Sequence, residues 1–372
     1  MINNPQPASI VTQPRGMVLV NGDRAVGLLS FEVDNNSYFQ ADTFRLTLAL
    51  SGQPANRDFK FWAAQTSLQV ELLVGFPQNP DNFTRTDLKS LLVGYVDDIQ
   101  VDPLRDEITM AGRDLTSLLI DTKRSIAFTN MTSSDIAIKI AKEMGLNYLV
   151  EPTKKFTGTM AQIVTQMVGD RSTYWDVLTK LAQIEHYTVS VTGHTLNFVS
   201  ATPPGDFYEL QYQAPVLQAF PVGNFTAMKF SRNLSVTRGI KVTVMSWNQK
   251  TGKMVKQTAS RSRVKNTTTS KSGSNGLPPL EYTFVYPNMT DDAAQAKATA
   301  LAQDISQHEV NLDAEMPGDD LLTTTTPIKV TGTDTAFDQT YYPASIQRRY
   351  SWDDGYRMTV RARNYSPETQ LT

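Results

Sequence analysis

The period of the apolar residues changes twice along this chain, and that change limits the architectures open to it. From Met17 to about Asp121 apolar and polar residues alternate with period two, as in Phe44–Leu50 (FRLTLAL). Such alternation marks strands buried on one face. SLQVELLVGF, SLLVGYVDDIQVD and, after a turn at Pro103, EITMAGRD continue it. Between about 123 and 205 helical spacing takes over. SSDIAIKIAKEMGL places Ile136, Ile140 and Met144 on one stripe, with Ser133 or Ser134 as N-cap and Gly145 as the stop. STYWDVLTKLAQIEHY repeats the logic with Thr173 as cap and Asp176 three residues on. A hairpin turning at Gly193 follows. Strands then return, interrupted by an Ala-rich helix with Ala294, Ala298, Leu301 and Ile305 on one stripe.

The pattern predicts an α+β chain that is mainly β, with antiparallel strands at both ends and an α+β unit between them. The expected organisation is a first β-barrel over 1–122, an insert domain over 123–205 and a second β-barrel over 206–372. The last contains a flexible Ser/Thr/Lys/Gly linker (260–279) and the Ala-rich helix (290–312). The end regions also share a weak repeat. Val70 and Gly75, Gly94-Tyr95, Asp98-Ile99, an acidic turn and Ile108 to Arg113-Asp114 match Val330 and Gly332, Tyr341-Tyr342, Ser345-Ile346, an acidic turn and Met358 to Arg363-Asn364. Generic hairpin grammar and true duplication both produce such a match. Were it a duplication, three copies would present six similar surfaces around one axis.

Chemistry is scarce. With no cysteine, disulfides, thiolate zinc sites and a Cys nucleophile are excluded. The three histidines, His186, His194 and His308, have no metal-ligand spacing. No phosphate loop, dinucleotide fingerprint or nucleophile elbow occurs. The pairs Asp97-Asp98, Asp291-Asp292, Asp319-Asp320 and Asp353-Asp354 are read as turn or helix-start residues, and no residue is assigned a catalytic, cofactor or metal role. The formal net charge of −2 provides no global attraction to nucleic acid or anionic lipid. The polar, Pro-rich start lacks a signal sequence, and no apolar run spans a membrane; both predict a soluble protein without a membrane anchor.

Two stretches are candidate interfaces. Phe59, Phe61 and Trp62 are too aromatic for a plain surface loop, and either pack beneath the rim of their own barrel or anchor a neighbouring subunit. The basic stretch from Lys250 to Lys271, with Lys253, Lys256, Arg261 and Arg263, is either a solvated hairpin or a dock for an acidic surface.

Several motifs in order resemble the late control protein D and tail-hub family of phage baseplates, whose relatives include the hub part of type VI secretion spike proteins. They are AGRDLTSLLID, SSDIAIKIAKEMGL, the Trp-Asp-x-Leu helix with its hairpin, IKVTVMSWNQKTGK, DDAAQAKATALAQ and the closing stretch from Pro327 to Ala362. Each is short and degenerate; together they cover about residues 17 to 365. Glu185-His186 departs from the family, whose members often have Gly there. The resemblance implies two tail-tube-like antiparallel β-barrels per chain. It also implies a non-enzymatic homotrimer joining the hexameric tail-tube ring to a trimeric central spike, beside other baseplate proteins in the virion. Tape-measure protein and, transiently, DNA would pass along its lumen. The lack of a β-helical or enzymatic extension suggests the hub alone. Rival readings are the hub of a phage-like injection device and a tail-associated cell-wall hydrolase.

Overall fold

The computed structural model of the protein describes residues 1–3, 13–37, 39–123, 128, 131–154, 172–185, 187–200, 205–215, 220–233, 240–248, 252–261, 279–306 and 310–364. The first β unit has strands β1 (Arg15–Val20), β2 (Asp23–Ala25), β3 (Leu28–Asn36), β4 (Thr43–Ala49), β5 (Gln69–Gly75), β6 (Lys89–Asp102) and β7 (Glu107–Asp114), with the short helices α1 (Phe59–Ala63) and α2 (Thr116–Asp121). Alternation buries one face of each strand, so that Phe44, Leu46 and Leu48 of β4 point inward with Ile108 and Met110 of β7. Together with Val18, Val33, Val70, Leu72 and Leu92 they form one core wrapped by strands.

The middle unit comprises α3 (Ser133–Glu143), β8 (Asn147–Val150), α4 (Tyr174–Glu185), β9 (Tyr187–Thr192) and β10 (Thr195–Ser200), with sheet order β8-β10-β9. Its core joins Ile136, Ile140, Leu178, Leu181, Leu196 and Phe198 to Leu115 and Leu119. The cap of α3 is Thr132 rather than a serine. Thr132 and Asp135 exchange hydrogen bonds in a capping box, and the Ser133 hydroxyl donates instead to Glu185 at 2.7 Å. Thr173 and Asp176 form the expected box at α4, and Gly145 takes the positive φ of 71° that stops α3.

The second β unit has β11 (Tyr208–Gln213), β12 (Val222–Gly223) and β13 (Ala227–Arg232). It resumes with β17 (Val310–Pro317), β18 (Ile328–Thr331), β19 (Thr340–Ser351) and β20 (Gly355–Arg363). Between β13 and β17 sits a separate layer. The strands β14 (Ile240–Asn248), β15 (Lys253–Arg261) and β16 (Leu280–Val285) form their own sheet, ordered β15-β14-β16, beneath α5 (Asp291–Ser306). Ala294, Ala298 and Ala302, all fully buried, bring α5 close to Val242, Val244 and Val255. This layer has a core of its own and does not join the core of β11 and β17–β20, with which the sequence had grouped it. The helix is described as far as Ser306, and β17 begins at Val310, so the helix cannot reach the expected 312; residues 307–309 lie outside the described residues. Most of the expected linker, 262–278, lies outside the described residues.

The repeat is written in the hydrogen-bond ladders. Strand order β5-β6-β7-β4-β3 in the first unit recurs as β18-β19-β20-β17-β13 in the second, all antiparallel. Tyr95 opposite Arg113 corresponds to Tyr342 opposite Arg363, and Ile99 opposite Met110 to Ile346 opposite Val360. Thr43 opposite Arg113 corresponds to Asn311 opposite Arg363. Each long strand carries a bulge at the same place, between Val96 and Asp98 and between Pro343 and Ser345. Two details differ from the sequence match. Val70 corresponds to Ile328 rather than Val330, so Gly75 and Gly332 are not counterparts. The outermost strands also differ in sense, since β1 runs antiparallel to β5 and β11 parallel to β18.

Candidate functional site

The two β units meet edge to edge, and this junction holds the most specific chemistry in the molecule. β19 pairs with β20 along one edge; along the other it pairs first with β18 and then with β3, from Ser345 opposite Asn36 to Ser351 opposite Ser30. One 14-stranded sheet therefore runs through both units. The inward face of the seam is buried. Phe31 and Tyr350 stack at 5.3 Å, and Val33 and Ile346 are fully buried. On the outer face Arg349 pairs with Glu32 at 3.1 Å.

Arg348 lies within the seam, 4% exposed, at a point where the corresponding residue of the first unit is Val101. Its guanidinium donates to Asn35 Oδ1 at 2.6 Å, to the Asp319 carbonyl at 3.3 Å and to the Leu322 carbonyl. Asp319 in turn accepts from Tyr208 Oη at 2.6 Å and caps Leu321 and Leu322, so the 319–322 turn is tied to the seam. Asn35 passes the connection on by donating to Asp42, which also accepts from the Asn36 amide, both at 2.7 Å. Behind Asp42 stands Asp114, whose amide donates to the Asp42 carbonyl and whose carboxylate accepts from Thr116. Burial pushes the Asp42 carboxyl up to about 6, against the opposing hydrogen bonds from Asn36 and Asn35. Burial, helped by the charge of Asp42, pushes Asp114 up to about 7. The local sequence does not reveal the partners of Arg348, which lie on other elements, whereas Asp114 takes its side-chain bonds from Thr116, two residues on.

The expected interface residues are not brought together. Trp62 is fully buried among Val18, Val70 and Leu72, and its indole donates to the Arg57 carbonyl at 2.9 Å. That corrects its reading as a subunit contact: α1, capped by Asp58, lodges the ring in the barrel core. Phe61 stacks edge-on against Trp62 and is partly buried, whereas Phe59 remains 47% exposed. Lys253 and Lys256 are exposed on β15. The side chain of Arg261, and Arg263 entirely, lie outside the described residues, as do His186 and His308. Asp97 and Asp98 lie within β6 rather than in a turn, and Asp97 holds Arg113 in a two-point ion pair at 2.7 and 2.9 Å. Asp121 completes the clasp at 2.9 Å.

A cleft of about 450 Å³ opens where the end of β3 meets β17, β19 and β20. The carboxylate in its lining, Asp313, lies 3.9 Å from Arg361, and the remaining polar lining is Asn, Ser, Gln and Arg. Such a lining binds polar groups but supplies no second carboxylate for acid–base work. Among the described residues no cluster of His, Asp and Glu forms a metal site, and no helix is long and apolar enough to cross a membrane.

Solved structures share this arrangement from end to end. A tail protein of Neisseria meningitidis MC58 superimposes with a TM-score of 0.66 at 16% identity, over 96% of this chain and 99% of that one. The chain has the fold of prophage tail proteins. A 43 kDa tail protein of prophage MuSo2 from Shewanella oneidensis follows at 0.62 and 16% identity, over 95% and 96% of the two chains. A chain of the Francisella PdpA–VgrG complex matches at 0.55 and 10% identity, over 96% of this chain and 59% of its own length. No family model matches the sequence, nor does any curated protein.

Proposed function

We propose that the chain is a structural tail hub: three copies form a collar with six similar β units, which joins a six-fold tube ring to a three-fold spike. The observation that carries this reading is the correspondence of the two β units, ladder for ladder and bulge for bulge, joined head to tail at the β3–β19 seam. A head-to-tail contact between like units either closes into a ring or runs on as a filament. Three chains of two units each match a six-fold face without leaving half its contacts unpaired. The end-to-end fold match with phage tail proteins supports the same role, as does the match with a chain of the PdpA–VgrG complex.

In this reading the partners are the tube ring, the spike and adjoining baseplate proteins, and the lumen passes tape-measure protein and DNA. The protein works in the virion tail and turns over no substrate. Light scattering of the purified protein is expected to give the mass of three chains, and a zymogram on purified cell wall is expected to stay blank. A stable monomer at micromolar concentration, in the presence of spike, overturns the reading, as does lysis in the zymogram.

A further inference from the structure

We infer that the open edge of β13 pairs with the distal half of β6 in a second copy of this chain, in the register that the β3–β19 seam displays within one chain; the inference rests on the hub reading above. The seam joins the first unit's β3 to the distal half of the second unit's β19. The corresponding edges, exchanged between units, are those of β13 and of β6. Among the described residues β13 pairs only with β17, and β6 beyond Val96 pairs only with β7. Among the described residues two strand edges are thus open, and they match the two edges that the seam consumes. Unpaired edges of this kind are templates for another chain.

Carrying the seam's register across places Ile99 opposite Arg232, Gln100 opposite Ser231, Val101 opposite Phe230 and Asp102 opposite Lys229. Burial and charge both favour this pairing. Within the seam the inward residues are covered, with Phe31 and Tyr350 2% exposed and Val33 and Ile346 fully buried. Their counterparts Met228, Phe230 and Ile99 are only partly buried in the single chain, as is Val101, the counterpart of Arg348. A second copy supplies the missing cover. On the outer face Lys229 takes the place of Glu32 and Asp102 that of Arg349. The ion pair of the seam recurs with its signs exchanged. Asp102 is held at the edge by accepting from the Leu104 and Arg105 amides.

The test uses the absence of native cysteine. Asp102→Cys and Lys229→Cys are made in separate full-length chains, mixed during assembly and oxidised. Opposed residues in an antiparallel pair lie about 4.5–5.5 Å apart at Cα, within disulfide reach. The expected result is a covalent dimer in the mixture and none with either variant alone, and a covalent trimer when both substitutions share one chain. Asp98→Cys with Lys229→Cys, four residues out of register and about 13 Å off along the strand, gives none. A trimeric mass without the Asp102–Lys229 crosslink overturns the pairing and leaves the hub reading standing. A crosslink that is equally efficient from Asp98 overturns the register. A monomeric mass without crosslink overturns both.

Discussion

Replacing Asp114 by asparagine tests whether the acid pair behind the seam carries the electrostatic strain its surroundings imply. The Asp114 carboxyl is 5% exposed, accepts from Thr116 and stands beside Asp42. Burial raises it from 3.8 to about 7. The folded form therefore holds a proton that the unfolded chain has already lost over that interval. Stability falls as pH rises from about 4 to about 7 and levels off above. The rise of about 3 pH units corresponds to about 4 kcal/mol at the alkaline plateau, at about 1.36 kcal/mol per unit. The amide of the Asp114→Asn protein keeps one oxygen for the Thr116 amide and never ionises, so the variant escapes this cost at pH 8 and gains nothing at pH 4. For units of this size about 4 kcal/mol is worth about 10 °C in Tm. Thermal melts followed by tryptophan fluorescence between pH 4 and pH 9 should show the wild-type midpoint falling across the range and the variant's falling less, since burial still holds Asp42 at about 6. An equal loss of Tm at pH 4 and pH 8 would refute the reasoning, since it would mean that hydrogen bonding rather than charge governs the site.

Further outcomes follow from the packing. Trp62→Ala removes a fully buried ring and its bond to Arg57, and is expected to cost about 3–5 kcal/mol, read as a lowered denaturation midpoint. An unchanged midpoint with lost assembly would return Trp62 to the surface. Arg348→Ala leaves the Leu322 carbonyl and Asn35 without their buried donor and is expected to cost about 3 kcal/mol. Amide exchange at Leu321 and Leu322 should quicken in the same variant. Gly112→Ala places a Cβ 2.0 Å from the Tyr95 carbonyl, so the β6–β7 ladder must open; amide exchange along β6 reports it. Phe59→Ser, at an exposed ring, should leave the melting temperature within about 1–2 °C of wild type.

Local signals carried much of the fold. Alternation in FRLTLAL and EITMAGRD fixed both the strands and their buried faces, since a strand's side chains alternate whatever it pairs with. The Thr173–Asp176 box and Gly145 marked helix ends, because caps act within one turn. The Ala stripe of α5 announced close packing, though not which sheet would receive it. The aromatic cluster at 59–62 was legible as a cluster, but only the position of α1 over the barrel core decided that Trp62 is buried and Phe59 is not.

What the amino-acid order determined by itself is the longer helices and many of the strands, their inward faces and the absence of thiol chemistry, but not α1 or the place of Asp97 and Asp98 within β6. Tertiary structure alone decided which edges meet. Periodicity says which side of β19 is apolar but not that its far half would pair with β3, some three hundred positions earlier. The same holds for Arg348, whose partners Asn35, Asp319 and Leu322 lie elsewhere in the sequence, and for the burial of Asp42 and Asp114, though the side-chain partners of these two acids are close by in sequence. Edge pairing is made by backbone groups that every residue carries, so the side-chain pattern leaves the partner open until the whole sheet is assembled.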